Sequence, residues 1–122
     1  MTTIKTADLT GPALDWAVAK CDQPQWSDDD ALLWVQDDEY QYNPSTNWSQ
    51  GGPIIEREKI DLFTGKQTYP ESWCASVARY QNGHRLVGWR FHQYGPTPLI
   101  AAMRCFVASR LGDEVEVPDE LA

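Results

Sequence analysis

The sequence predicts an α/β (α+β) domain: a small antiparallel sheet packed against two main helices, at about residues 11–21 and 98–111, and a short helix at about 53–59. Three observations carry this. Apolar residues recur at helical spacing in two separate windows, each opened by a threonine cap and a proline in the first turn. Asn82-Gly83, the dipeptide most favoured in a two-residue type I′ turn, joins two strand-like runs. At 122 residues and 13.9 kDa the chain is expected to be one domain, 1–122. A domain of that mass buries about two thirds of a roughly 20,000 Å² unfolded surface, enough for one core without disulfides.

Thr10 is a good N-cap, and Gly11-Pro12 fit the first helical turn, where a missing amide donor does no harm. Leu9 before the cap and Leu14 after it can form a hydrophobic staple. Leu14, Ala17, Val18 and Cys21 make the buried stripe of the first helix, and Trp16 lies off it. Leu32-Leu33-Trp34-Val35 fits a strand or a brief helix. Asn43-Pro44-Ser45-Thr46-Asn47 is turn chemistry. Gly51-Gly52 then reads as a tight turn before a short helix opened by Pro53, and Ile60, Leu62 and Phe63 as an extended segment ending at Thr64-Gly65.

A turn at Asn82-Gly83 pairs Gln81 with His84, then Arg79 with Leu86, Val77 with Gly88, Ala75 with Arg90 and Trp73 with His92. The alternate pairs are Tyr80/Arg85, Ala78/Val87, Ser76/Trp89 and Cys74/Phe91. One face is then largely apolar. The other carries Trp73, Arg79, His84, Arg90 and His92, with Ser76 on the side away from both histidines. A one-residue slip exchanges the faces, so this assignment stands or falls with the turn. Thr97 caps the last helix, Pro98 takes its first position, and Leu99, Ile100, Met103, Phe106, Val107 and Leu111 form its stripe up to Gly112. Val115 and Val117 fit a short edge strand or a loose tail.

Charge is divided sharply. Ser72 to Gly112 contains no Asp or Glu and five arginines, at 79, 85, 90, 104 and 110. All 18 acids lie elsewhere, so a net charge of −8 conceals +5 in one segment against −13 in the rest. Two acidic clusters, Asp28-Asp29-Asp30 and Asp37-Asp38-Glu39, and an acidic tail dominate that remainder. Such runs either solvate the surface or meet a basic partner. A protein of this sign repels duplex nucleic acid at long range. Three widely spaced cysteines suit a reducing cytoplasm. The longest uncharged apolar stretch is far short of the roughly 20 residues that cross a bilayer, and the N-terminus has no export signal.

No Gly-x-Ser-x-Gly, His-Glu-x-x-His or Walker loop is present, and Asp28-Asp29-Asp30 lacks the ligand spacing of a calcium loop. No metal and no cofactor is expected. The candidate ligand-binding residues are Trp48, Gly51, Gly52, Trp73, Arg79, His84, Arg90, His92 and Thr97. Arginine with an aromatic platform is how a nucleobase and its phosphate are held together, and helix starts hold anions with backbone amides. Each has a plainer role: glycines in turns, tryptophans in a core or a subunit interface.

Three segments resemble the NinX-like family of tailed-phage proteins. They are Leu14-Asp15-Trp16-Ala17-Val18-Ala19, the run from Asn43 to Glu56, and Gly95 to Arg104 together with Gly112-Asp113-Glu114-Val115. The resemblance covers most of the chain except 22–42 and 64–72. The order of its Pro-Ile-Ile and Pro-Leu-x-Ala-Ala-Met segments is similar to the phage α/β/α-sandwich domain, which implies an antiparallel sheet and supplies no catalytic residues. The expected function is that of a phage accessory protein in the host bacterial cytoplasm, a homo-oligomer sequestering a small nucleotide-derived anion such as a host defence signal. One alternative is an inhibitor or DNA mimic that offers Asp28, Asp29, Asp30, Asp37, Asp38 and Glu39 to a basic host protein. Another is a small hydrolase using His84 or His92.

Overall fold

The computed structural model describes residues 1–64, 71–81 and 84–122, and for 78–81 and 84–91 it describes the backbone only. The elements are β1 (Thr2–Lys5), α1 (Gly11–Asp22), α2 (Asp28–Gln36), α3 (Trp48–Glu58), β2 (Ile60–Thr64), β3 (Trp73–Gln81), β4 (His84–Gly95), α4 (Pro98–Leu111) and β5 (Glu114–Val117). Strands β2-β3-β4 form a three-stranded antiparallel sheet, and β1 pairs with β5 in a separate two-stranded one. This is the expected α+β class.

Helix α4 is the centre of the molecule. It packs against β4, β3 and β2 on one side and against α1 and α3 on the other. Its start and stop follow the sequence signals: the Thr97 hydroxyl accepts the Ile100 amide at 3.1 Å, and Gly112 ends it with φ 90°. The expected stripe is too narrow. Every residue from Ala101 to Ala108 is buried, because a helix covered on both sides has no solvent face over that length. Leu111, placed in the stripe, is instead exposed at the last turn. Arg104 lies inside this core with 5% of its surface exposed. Its guanidinium donates to the carbonyls of Leu9 and Tyr94, each at 2.8 Å, and pairs with Glu71 at 3.0 Å. It fastens helix, strand and entry loop together.

Helix α1 runs where its stripe puts it, with Leu9 and Leu14 fully buried. Thr10 holds the extended cap conformation without a side-chain hydrogen bond. Trp16 is buried, because α2 covers a second face of α1 and takes the indole N–H on the Asp28 carbonyl at 3.2 Å. The ambiguous run 32–35 is helical. Ser27 opens α2 with a capping box: its hydroxyl accepts the Asp30 amide, and the Asp30 carboxylate accepts the Ser27 amide. Three aspartates in the first turn also complement the helix dipole.

Two expectations are corrected. The short helix begins at Trp48, not Pro53, because Asn47 caps it by accepting the Ser49 amide at 3.0 Å. Gly51 and Gly52 are therefore helical, and Pro53 sits within α3, where it leaves the Ser49 carbonyl without its helical donor. The β3–β4 register also departs from the expected one. Gln81 and Tyr80 face His84 and Arg85 as expected, but Ala78 then faces Trp89, Val77 faces Arg90, Ala75 faces Gln93, and Trp73 faces Gly95. Two irregularities, between Ala78 and Tyr80 and between Ala75 and Val77, add three residues to β4. An odd slip moves side chains to the other face of the sheet. The Asn82-Gly83 turn itself lies outside the described residues.

Residues 115–117 form a strand rather than a loose tail. It is zipped to β1, and the Thr6 hydroxyl donates to the Gly112 carbonyl at 2.6 Å.

Candidate functional site

The turn 43–47 and the starts of two helices meet in one place. Gln50 holds the turn, its side chain accepting the Asn43 amide at 2.6 Å and donating to the Gln41 carbonyl at 2.9 Å. Asn43 accepts the Asn47 amide at 2.9 Å, which aims the Asn47 cap at α3. Gly51 lets α3 approach the turn and α4. A β-carbon there would stand 2.5 Å from Leu99 Cδ1 and nearer still to the Pro44 carbonyl oxygen. The first turns of α3 and α4 are thereby brought side by side.

Between them lies a cleft of about 200 Å³, lined by Ser45, Thr46, Trp48, Thr97, Pro98, Leu99 and Ile100. The Trp48 indole stands at its edge, 53% exposed. Thr97 and Thr46 are exposed and Ser45 is buried, so the polar lining is three hydroxyls and the backbone. The Ser45 amide donates to Asp15 at 2.8 Å. Its hydroxyl, in a residue only 1% exposed, lies against the same carboxylate and favours its charged form.

Asp15 lies behind this cleft, 2% exposed. Burial pushes its carboxyl up to about 6, against the pull of the nearby Ser45 hydroxyl and amide. Sequence reading missed both residues. Asp15 falls off the apolar stripe of α1, and Ser45 looks like any turn residue. The available signal was Trp16: a tryptophan beside Asp15 implies that this face of α1 is covered too.

The remaining candidates are distributed differently. Trp48 and Thr97 share the cleft, Gly51 packs behind it, and Gly52 lies under the indole, where a β-carbon would meet Trp48 Cε3 at 3.9 Å. Trp73 is half-buried against the core, on the sheet face of Ala75 and Val77. His92 stacks on Tyr94, ring centroids 5.2 Å apart, and meets the edge of Phe63 at 5.8 Å. Phe63 and Tyr94 both pair with Cys74, so His92 shares the opposite face of the sheet. The expected Trp73/His92 pair is thus divided by the register slip. Ser76 lies on the His92 face, contrary to expectation, with a buried hydroxyl that closes no hydrogen bond among the described residues. The side chains of Arg79, His84 and Arg90 lie outside the described residues.

Of the five arginines in the acid-free segment, the two whose side chains are described meet carboxylates of the same chain. Arg104 pairs with Glu71, and Arg110 with Glu58, which also binds Arg57 at 3.0 Å. Arg57 reaches Asp22 at 2.9 Å, and Asp22 accepts the Tyr42 hydroxyl at the same distance. A second groove of about 390 Å³ runs past Asp8, Glu71, His92 and Tyr94, with two carboxylates in its lining.

The acidic candidates are partly engaged in structure. Asp28 pairs with Lys20 at 2.6 Å, and Asp30 belongs to the capping box. Asp37 accepts the Glu39 and Tyr40 amides, which hold its carboxyl below the usual range. Asp29, Asp38 and Glu39 are exposed, beside the exposed side chains of Leu33, Trp34 and Tyr40. Among the described residues there is no group of three metal-ligating side chains, and no helix is long and apolar enough to cross a membrane.

Fold and site together define a small α+β domain built around a central helix, with a neutral, hydroxyl-lined cleft where two helices begin. The family model described as Bacteriophage P22, NinX matches residues 5–110, and the chain belongs to that family of phage proteins. Comparison with curated proteins finds no match.

Proposed function

We propose that this phage protein is an accessory protein acting in the host bacterial cytoplasm, and that it binds and sequesters a small, nucleotide-derived anion rather than transforming it. One observation carries the reading: two helix starts converge on one cleft, with an exposed indole at its edge. Helix starts favour anions through free amides and the dipole, and an indole supplies a stacking surface for a base. A thermal-shift screen of nucleotides and nucleotide signalling molecules tests it. A concentration-dependent rise in melting temperature with one class is expected, as binding to the folded state alone requires. A flat response to the whole panel counts against the proposal.

The exposed apolar residues beside Asp29, Asp38 and Glu39 favour a second reading, in which this surface meets a basic host protein. Pull-down from host lysate with the Asp29→Asn, Asp38→Asn, Glu39→Gln variant separates the two. Undiminished capture of the same partner removes the second reading.

A further inference from the structure

We infer that the outer face of α2 is the docking site for a cationic amphipathic helix of another protein, whose apolar side chains cover Leu33 and Trp34 while its arginines meet the carboxylates around them. The inference rests on the second reading above, that this surface meets a basic protein, and it names the chemistry of both sides.

Helical spacing puts Asp30, Leu33, Trp34 and the C-cap Asp37 on one face of α2, turned away from the wholly buried Ala31 and Val35. Leu33 is 65% exposed and Trp34 38%. Trp26 stacks on one face of the Trp34 indole, ring centroids 5.9 Å apart, and in turn meets Tyr42 edge-on at 5.3 Å. The Tyr42 amide donates to the Trp34 carbonyl at 3.0 Å, and the Gln41 side-chain amide to that of Val35 at 2.9 Å. The apolar platform is thus held from behind before any partner arrives, which lowers the ordering cost of binding. Two large apolar side chains adjoining on a helix face offer the anchors that a second helix lies along.

Charge selects the occupant. Residues 21–56 contain no lysine or arginine. Among the described residues, Asp29, Asp30, Asp37, Asp38 and Glu39 pair with no cation. The last turn of α2 carries no base either, so the negative end of its dipole adds to the three acids that follow. Asp30 gives Oδ2 to the Ser27 amide and Asp37 gives Oδ1 to the Glu39 and Tyr40 amides, and each keeps a second oxygen for a guanidinium. This field repels nucleic-acid phosphates and anionic lipid. A symmetric pair of α2 helices would set carboxylate against carboxylate. A helix with an apolar row flanked by arginines satisfies both the platform and its charged border.

The test uses the full chain and a labelled synthetic helix with leucine along one face and arginine along the other, followed by fluorescence anisotropy. The same helix with glutamate in place of arginine is the control. The arginine helix is expected to bind and the glutamate helix to fail. Leu33→Glu keeps a good helix former and adds a negative charge. It should weaken binding about tenfold, as loss of a buried leucine requires, whereas attraction by charge alone would strengthen it. The Asp29→Asn, Asp38→Asn, Glu39→Gln variant should also weaken binding about tenfold, from three exposed pairs. Removing the same charge from the exposed Asp8, Asp113 and Glu120, as Asn, Asn and Gln, should change binding less than about twofold.

Binding to Leu33→Glu as tight as to the parent overturns the inference and leaves the broader basic-partner reading intact. So does equal weakening by the two charge variants, because net charge then replaces this face. An oligomer of the free protein that Leu33→Glu dissociates, seen by sedimentation, overturns it in favour of a second copy. If the arginine helix does not bind the parent, the inference is overturned and the pull-down judges the second reading separately.

Discussion

Replacing Asp15 by Asn tests the energetics of the buried carboxylate directly. In the folded protein its pKa is raised by burial from 3.8 to about 6. The folded state therefore keeps a proton between those values that the unfolded chain has lost, so stability is highest below the lower value and falls as pH rises to about 6. Two units at about 1.36 kcal/mol each put the loss at up to about 3 kcal/mol. Asn keeps an acceptor for the Ser45 amide and carries no charge. The variant should gain on the parent by up to about 3 kcal/mol between pH 4 and pH 7, whatever constant offset its amide group introduces. For a domain of this size each kcal/mol corresponds to about 4 °C in melting temperature. Urea unfolding of both proteins at half-unit steps from pH 4 to 8 gives the difference curve. Groups common to both, such as Glu58, which is held low by Arg110 and Arg57 despite its desolvation, cancel. A difference curve flat across this window refutes the reasoning, because a carboxylate that titrates alike in both states contributes no slope.

Neighbouring glycines in α3 should respond in opposite senses. Gly51→Ala forces a β-carbon into Pro44 and Leu99 and should cost about 2–3 kcal/mol, whereas Gly52→Ala meets only ordinary contact and should gain about 0.5–1 kcal/mol, both measured by urea unfolding. Equal effects would show that α3 does not approach the turn as described. Arg104→Leu strands two carbonyls in the core and the Glu71 carboxylate, and a loss of about 3–5 kcal/mol is expected in the same assay. The thiols of Cys21 and Cys105 are pushed up by burial to about 11 and about 12, so maleimide labelling at pH 8 should be slow until denaturant is added. Rapid labelling of native protein at either position contradicts its placement.

Elements whose signals are local were legible. Thr97-Pro98 and Gly112 bracket α4 to the residue, and Thr10, Gly11 and Pro12 start α1, because caps and stops act within one turn. Ser27 and Asp30 form an equally local signal for α2, a reciprocal cap that the apolar run 32–35 by itself does not reveal. The start of α3 is less legible: Pro53 suits a helix's first turn, yet Asn47, six residues upstream, is the cap that the chain uses.

Only the assembled chain settles which faces meet. Periodicity in β3 and β4 is compatible with any register. The inserted residues of β4, placed by packing on α4 and by β2, decide that Trp73 faces the core while His92 faces away. The cleft has the same origin. Ser45, Trp48 and Thr97 are distant or featureless in the linear chain and converge because a glycine lets one helix approach another. Local propensities act over a few residues and are written in their order, whereas register, burial of Asp15 and the meeting of two helix starts depend on contacts between segments tens of residues apart.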